Sequence, residues 1–211
     1  MSTRTGKTNP RPESEGKRNE ILRAAVEVFG AKGSANGTLA EIAEHVGITH
    51  AGVLHHFGSK QNLLQEVPAF RDDDHPTDQD LAGGAFFLHL VRVAARNTQH
   101  PGLVQFYTVL SAESVTEDHP ARNYFDERYR SLRIEIEDAF RELCTQENVT
   151  DTQSIDIAAA SILAVMDGMQ FQWLLQPSEV DLAMTSAFAI QAIVNGVLHP
   201  GRNLSSYART R

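Results

Sequence analysis

Apolar residues recur every three or four positions along most of the chain, which is the spacing of one face of an α-helix. This pattern predicts about nine helices and no strand, because no stretch alternates apolar and polar residues. Glycine, proline and loop residues divide the expected helices, which lie at about 17–32, 39–46, 50–57, 60–67, 78–99, from 103, and at 121–145, 155–175 and 179–198.

Residues 38–60, TLAEIAEHVGITHAGVLHHFGSK, predict two short helices joined by a tight turn. Thr38 and Glu41 have the spacing of a capping box, in which each side chain bonds the other residue's backbone amide. Gly47 permits the reversal, and the side chains expected to face the core are Leu39, Ile42, Ala43, Val46, Ile48, Val53 and Phe57. Two helices joined in this way form a helix-turn-helix, which places its second helix in the major groove of DNA.

This stretch resembles the TetR family of bacterial transcription regulators. The residues that carry the resemblance lie within about 18–66 and are Thr38, Ile42, Ala43, Gly47, Ile48, Thr49, Val53, Leu54, His56, Phe57, Ser59, Lys60, Leu63 and Leu64. Leu54 stands where the family usually has a tyrosine that contacts DNA. The resemblance implies an all-α fold, with a three-helix helix-turn-helix DNA-binding domain followed by a six-helix ligand-binding and dimerisation domain.

Eight residues are candidates for contact with DNA, because they lie at exposed positions of the second helix or at helix N-termini: Thr38, Thr49, His50, Gly52, His55, His56, Ser59 and Lys60. Histidine can donate to guanine or to phosphate, and a helix N-terminus attracts an anion. Gly52 allows close approach to a thymine methyl group or to the DNA backbone. The three hydroxyl residues serve either as caps alone or as caps that also contact phosphate. Zinc is not expected, since His50 and His55 lie on different faces and no cysteine or carboxylate completes a tetrahedron.

The predicted helix at 155–175 is apolar on nearly all sides, so it must be covered on all sides. One further helix, at 179–198, is too small a cover, and a second copy of the chain is the expected partner. The resemblance implies the same homodimer, with an interface formed by the last two helices of each subunit. The alternative is a central helix in a monomeric bundle. A dimer also suits a palindromic operator, because two recognition helices ~34–36 Å apart meet successive major-groove faces.

Several large or polarizable side chains lie on helices expected to converge in the C-terminal half: Phe86, Leu90, Phe106, Tyr107, Leu110, Phe125, Tyr129, Met166, Met169, Gln170 and Trp173. The resemblance implies a cavity among them for a small-molecule effector of unknown identity, although such spacing by itself is typical of ordinary core. Met166 and Met169 would give a pliable wall suited to apolar effectors. Asp167 and Gln170 are polar residues on a very apolar helix, and each either bonds another helix or orients the effector.

The predicted domains are 17–67 for DNA binding and 68–199 for effector binding and dimerisation. Polar composition predicts a disordered basic arm over 1–16, which either enters the minor groove or frays, and a polar tail over 200–211. A break is expected from Pro68, followed by a solvated acidic loop rather than a metal site at Asp72, Asp73, Asp74 and His75.

Composition narrows the functional classes. Hydrophobic residues make up 41% of the chain and charged residues 22%, as in ordinary globular proteins. The net charge of −8 divides into eight basic and six acidic residues over 1–65, and 11 basic and 21 acidic residues over 66–211. A positive N-terminal part with an acidic remainder steers the former toward phosphate. The single cysteine, Cys144, excludes an intramolecular disulfide.

The N-terminus lacks the apolar core of a signal peptide, and the apolar run at 157–166 is shorter than a membrane span of ~20 residues. A cytoplasmic protein without membrane contact is therefore expected. The catalytic motifs of nucleophilic, nucleotide-binding and zinc-dependent enzymes are missing from the sequence, so we expect neither an enzyme nor a cofactor. The expected function is that of a transcriptional regulator, more often a repressor, released from its operator by a small, largely apolar effector. The alternative is a helical scaffolding or ligand-binding protein whose helix-turn-helix is only structural.

Overall fold

The computed structural model describes residues 12–73 and 81–199, with side chains over 14–70 and 81–199. Within these ranges the chain forms nine α-helices and no strand, which confirms the all-α prediction. The helices are α1 (Pro12–Asn36), α2 (Leu39–Val46), α3 (His50–Phe57), α4 (Lys60–Asp73), α5 (Gly84–Asn97), α6 (Pro101–Glu113), α7 (Arg122–Gln146), α8 (Ile155–Leu175) and α9 (Leu182–Leu198).

The first four helices form a small N-terminal unit, called the head here (residues 12–73). Helix α1 packs on α2 and α4, and α3 lies against both α2 and α4. Ile21, Ile42, Val53 and Leu63, one from each helix, have no exposed surface and form the centre of its core. Each apolar side chain of this size contributes about 1.5–3 kcal/mol when it is fully buried. The apolar periodicity of the sequence therefore accounts for the head.

The remaining five helices form the body (residues 84–198), in which α8 packs between α7 and α9, and α5 packs on both α7 and α9. Ile136, Phe140 and Ile162 are fully buried in its main core. Among the described residues, α8 alone has the length and apolar composition of a membrane span. It packs between α7 and α9 on one side, and 28% of its apolar segment is buried within the chain.

Head and body share a continuous core where α1 crosses α6, the most extensive contact between two helices. The helices approach so closely at Gly30 that an added Cβ would lie 3.1 Å from the Cβ of Phe106. Phe106 is fully buried and belongs to the hydrophobic cluster of the head although it lies on α6. Because the two helices are in such close contact, α6 cannot move far without also moving α1.

Three helix boundaries in the head differ from the predicted ones, and one of them is the end of α1, which lies at Asn36 beyond the non-helical Gly33. Helix α1 begins at Pro12, so residues 12–16 are helical and only residues 1–11 of the predicted arm lie outside the described part. Proline suits the first turn of a helix, where its missing amide is not needed. Helix α4 continues through Pro68 to Asp73, and the predicted break at Pro68 is wrong. Val67 and Pro68 are both buried, and this packing outweighs the hydrogen bond that proline removes.

The prediction that Asp72 and Asp73 lie in an acidic loop is wrong, because both residues belong to α4. Asp74 and His75 lie outside the described residues, and so does the predicted tail over 200–211. Helix α5 begins at Gly84 and not near Asp78. Gly83 precedes it with a φ of 53°, so the two glycines mark a helix start and not a bend within a helix.

Candidate nucleic-acid interface and internal cavity

The turn between α2 and α3 has the geometry that a helix-turn-helix requires. Gly47 adopts a left-handed conformation (φ 67°, ψ 34°), and its amide donates to the carbonyls of Ala43 and Glu44. The Thr49 hydroxyl oxygen accepts from the amide of Gly52 at 3.1 Å and caps α3. Val53 and Phe57 are buried against the head, which leaves the opposite face of α3 toward solvent.

The exposed surface of α3 is rich in histidine. Thr49, His50 and His55 are exposed, whereas His56 is half-buried, with its ring centroid 5.6 Å from that of His55. Burial lowers the pKa of His56, and the positive charges of His55, Arg18 and Lys17 lower this pKa further. His56 is therefore neutral at pH 7 and offers one N–H donor.

Gly52 is not required by the packing of the head. A Cβ at this position would lie 3.5 Å from Ile48 Cδ1 and 3.5 Å from Thr49 Oγ1, which is ordinary van der Waals contact. Alanine would therefore fit and would favour the helix by about 0.5–1 kcal/mol. The packing of the head therefore does not explain the glycine, which leaves space on the outer surface of α3 for a binding partner.

The other predicted contact residues are engaged within the head. The Thr38 hydroxyl donates to Glu41 Oε2 at 3.0 Å and accepts from the Glu41 amide at 3.3 Å, so the predicted capping box is present. Lys32, followed by the bonds from Thr38, lowers the pKa of Glu41 to about 2. Ser59 Oγ accepts from the amide of Asn62 at 3.1 Å and caps α4. The structure thus gives Thr38, Thr49 and Ser59 their predicted capping roles.

Lys60 and Leu54 face the head more than the solvent. Lys60 Nζ donates to the Ala35 carbonyl at 3.3 Å and lies 5.8 Å from the centroid of the Phe29 ring. Leu54, which stands where the family that the sequence resembles usually has a tyrosine, is half-buried and packs against the hydrophobic cluster of the head. The exposed candidates are Thr38, Thr49, His50 and His55, and the last three lie on or next to α3.

A second polar cluster, called the Glu113 cluster (Ser34, Glu113 and His119), joins head to body. The Ser34 amide donates to Glu113 Oε2 at 2.9 Å and to Oε1 at 3.2 Å. Gly33 (φ 76°, ψ 166°) interrupts α1 at its predicted stop, and a Cβ on it would lie 2.5 Å from Glu113 Oε1. His119 Nδ1 accepts from the Ala121 amide at 3.2 Å, while its Nε2 lies 3.1 Å from Ser34 Oγ. A neutral His119 with its proton on Nε2 satisfies both contacts.

Acidification should weaken the Glu113 cluster. Burial lowers the pKa of His119 below 6.5 in spite of the nearby Glu113 carboxylate, so the folded state resists protonation that the unfolded state accepts. The contribution of neutral His119 to the free energy of unfolding is fully present above pH 6.5. It is lost as the pH falls through the pKa that His119 has in the folded state. The Tm of thermal unfolding should be lower at pH 5.5 than at pH 7.5. In His119→Asn, which keeps an acceptor for the Ala121 amide, this decrease should be smaller by about 2–4 °C. The exposed His50→Asn serves as the control, and equal decreases in all three proteins would contradict the assignment.

A cavity of about 100 Å³ lies in the body among α5, α6, α7 and α8. Six of the predicted effector residues line it: Phe86, Leu90, Tyr107, Tyr129, Met166 and Gln170. The other lining residues are His89, Val93, Asn97, Arg128, Leu132, Glu135, Ile136, Leu163 and Asp167. The sequence identified Gln170 and raised Asp167, but it did not indicate the polar lining residues His89, Asn97, Arg128 and Glu135. The four-residue spacing of His89, Val93 and Asn97 on α5 was the signal for a shared inner face.

Five predicted effector residues do not line the cavity. Phe106, Leu110 and Phe125 are buried in the hydrophobic cluster of the head, because α6 and the start of α7 pack against α1 and α4. Trp173 and Met169 belong to a separate small cluster around Leu182. Their apolar periodicity reflects core packing at other helix contacts.

The cavity contains a strong internal hydrogen bond. The Tyr129 hydroxyl, on α7, donates to Asp167 Oδ2, on α8, at 2.5 Å. Burial, followed by the hydrogen bond to Asp167, raises the pKa of Tyr129. Asp167 thus bonds another helix and lines the cavity at the same time, while Gln170 is buried with 9% of its surface exposed.

Helices α8 and α9 both expose large apolar side chains, which are together called the α8–α9 stripe (Ile157, Phe171, Leu175, Met184 and Phe188). Their exposed fractions are 66%, 55%, 68%, 67% and 79%, respectively. On α8 the exposed or half-exposed positions 157, 161, 164, 168, 171 and 175 alternate spacings of four and three, as in helices that pack along their length. Small residues at Ser161, Ala164 and Gly168 allow a close approach.

A helix-turn-helix head joined to a helical body defines the class of DNA-binding transcriptional regulators. Residues 21–67 match the family described as "Bacterial regulatory proteins, tetR family". Residues 93–197 match "BetI-type transcriptional repressor, C-terminal". The chain belongs to the TetR family.

Individual relatives agree with this assignment. The HTH-type transcriptional regulator SrpR of Pseudomonas putida is 28% identical over 166 residues, which cover 77% of this chain and 77% of that protein. The crystal structure of TylP, a TetR regulator from Streptomyces fradiae, superposes with a TM-score of 0.69 at 20% identity and covers 94% of this chain and 92% of that one. NalD of Pseudomonas aeruginosa, the secondary repressor of the MexAB-OprM multidrug efflux pump, gives a TM-score of 0.68 at 19% identity, with 88% and 98% covered.

Proposed function

We propose that this protein is a cytoplasmic repressor that binds a palindromic operator as a homodimer and is released from DNA by a small, largely apolar effector. The observation that carries the proposal is the exposed end of α3, where Thr49, His50 and His55 surround the unobstructed Gly52. A ring N–H of histidine donates to guanine N7 or O6 and to phosphate. A helix held by its caps and by two buried side chains presents these donors in a fixed orientation.

The α8–α9 stripe supports the homodimer. Five large apolar side chains, each more than half exposed, form a surface that a single chain leaves in contact with water. A second copy covers the stripe with an identical stripe, as in a two-fold symmetric interface. The pair of α3 helices then meets two half-sites of a palindrome, and each contact of one subunit with a half-site is repeated by the other.

Helix α6 supports a route from the cavity to DNA. Tyr107 lines the cavity, the adjacent Phe106 is buried in the head, and Glu113 at the end of the helix bonds Ser34 of α1. An effector that displaces Tyr107 shifts α6 and hence α1, on which α2 packs. The effector thereby favours a conformation whose α3 helices no longer match the two half-sites. Linkage requires that operator DNA lowers effector affinity by the same factor.

Footprinting and mobility-shift titration with the DNA upstream of the gene test this proposal. We expect protection of a palindromic site and an affinity that falls as salt rises, because phosphate contacts release counterions. His55→Ala should weaken binding ~10-fold, within the ~1–3 kcal/mol of a good base contact. His199→Ala, at the far end of α9, should have no effect. If footprinting shows no protected site, or if the measured DNA affinity does not change with salt, the alternative of a helical scaffolding protein is favoured.

A further inference from the structure

The strongest indication of what enters the cavity comes from a buried amide. Asn97 is the last residue of α5, and its Nδ2 atom is buried without a hydrogen-bond partner among the described residues. The same side chain lines the cavity. Buried polar groups in folded proteins nearly always have a partner. Because the side chain of Asn97 lines the cavity, a ligand with an acceptor atom can supply the partner.

A second amide faces the same space. Gln170 of α8 lines the cavity and has only 9% of its surface exposed. Its amide group, like that of Asn97, carries N–H donors. A carbonyl oxygen has two lone pairs and can accept from two such donors at once. One carbonyl group on a ligand can therefore accept from both side chains.

The rest of the lining limits the size and polarity of that ligand. Apolar contact surface comes from Phe86, Leu90, Leu132, Ile136, Leu163 and Met166. A cavity of about 100 Å³ is smaller than the roughly 150 Å³ of an apolar cavity known to hold benzene. A compact ligand is required, and one much larger than a single ring has to push α6 or α7 outward.

Charge in the cavity favours a neutral ligand. Asp167 already accepts from the Tyr129 hydroxyl, Arg128 also lines the cavity, and Glu135 is exposed at its edge. An anionic ligand would face two carboxylates, and a cationic one would face the guanidinium group. Because both signs of charge line the cavity, a charged ligand of either sign would meet repulsion as well as attraction and would lose its hydration on entering.

We propose that the cavity binds a compact, neutral, amphipathic carbonyl compound, whose carbonyl oxygen accepts hydrogen bonds from Asn97 and Gln170 while its apolar part packs against Phe86, Leu132 and Met166. This inference deepens the proposed function. The role of the bound compound as the effector rests on that function, whereas the ligand class is argued from the cavity alone. It replaces a largely apolar effector with one anchored by a specific polar group.

Four probes of similar size test this class: benzamide, toluene, benzoate and benzylammonium. Methyl-labelled methionine provides a local readout, because Met166 lines the cavity while Met184 is exposed on α9. Benzamide should shift the Met166 methyl signal with a Kd on the order of 1 mM, as expected for a ligand of few atoms, and leave Met184 unchanged. The other three probes should bind at least ~5-fold more weakly.

Matched variants separate the polar anchor from simple filling of space. Asn97→Leu and Gln170→Met remove one amide each with little change in volume, and each should weaken benzamide binding ~10-fold while toluene binds as well or better. Gln105→Met, an exposed position on α6, is the control and should change nothing. Equal binding of toluene and benzamide, a preference for either charged probe, unaltered benzamide binding by both variants, or no response of Met166 would overturn the proposal.

Operator binding measured on the same preparation separates this inference from the proposed function. Benzamide that occupies the cavity and leaves DNA binding unchanged would support the ligand class and reject its role as effector. A protein that binds benzamide as expected and never binds DNA would reject the proposed function alone.

Discussion

Phe188→Glu is expected to convert the proposed dimer into monomers and to lower operator affinity more than ~100-fold. Phe188 is 79% exposed in one chain, the largest exposed fraction in the α8–α9 stripe. Burial of a phenylalanine contributes about 1.5–3 kcal/mol, and a symmetric interface contains the residue twice. The variant also places two carboxylates in an apolar interface without partners. Operator affinity falls further than dimer stability alone suggests, because a monomer loses the gain from binding two half-sites at once.

Sedimentation velocity over a range of protein concentrations, followed by operator titration, measures both effects. Leu88→Glu is the matched control, since Leu88 is 59% exposed on α5 and lies outside the α8–α9 stripe. The control should remain dimeric with unchanged DNA affinity. A Phe188→Glu protein that sediments as a dimer would contradict the interface, and monomers that still bind the operator tightly would contradict the need for a dimer.

The parts of the fold that were predictable from sequence are those decided by neighbouring residues. The bounds of α8 follow from a long, predominantly apolar segment, and the capping box at Thr38 and Glu41 needs only two side chains three positions apart. Gly47 adopts the left-handed conformation that glycine reaches without strain. The helix-turn-helix was therefore recognisable before any three-dimensional information.

Features decided by distant residues were not predictable in the same way. Pro68 ends no helix, because burial beside Val67 outweighs the local penalty of proline. Phe106 has the periodicity of a cavity residue, yet it is buried in the head across the close approach at Gly30. The bond between Ser34 and Glu113 joins residues 79 positions apart. Periodicity shows which side chains face inward, but it does not show which helix they meet.

The cavity illustrates the same limit. The aromatic and methionine positions of the sequence identified part of its wall, but the amide of Asn97 and the guanidinium of Arg128 come from polar residues at helix positions that also suit solvent. Their burial depends on how α5 and α7 are rotated about their axes. Only the packed structure fixes that rotation.

Gly52→Ala is expected to keep the fold and weaken operator binding about 10–100-fold. The added methyl group meets only ordinary contacts within the head, at 3.5 Å from Ile48 Cδ1 and Thr49 Oγ1, so the melting temperature should stay constant or rise. On DNA, the same methyl group enters the space where the backbone of α3 approaches the groove, and overpacking of this kind costs about 1–3 kcal/mol.

Comparison with Gly102→Ala isolates the DNA contribution. Gly102 lies in the first turn of α6, and an added Cβ there meets nothing within 4 Å. Both variants gain helix propensity, yet only Gly52→Ala changes a surface proposed to face DNA. Calorimetry of each protein alone and titration with operator DNA should therefore separate them, with similar thermal stability and different affinity. If Gly52→Ala binds the operator as tightly as Gly102→Ala, the N-terminal end of α3 does not approach DNA closely, and the histidine contacts proposed for the same surface lose their structural basis.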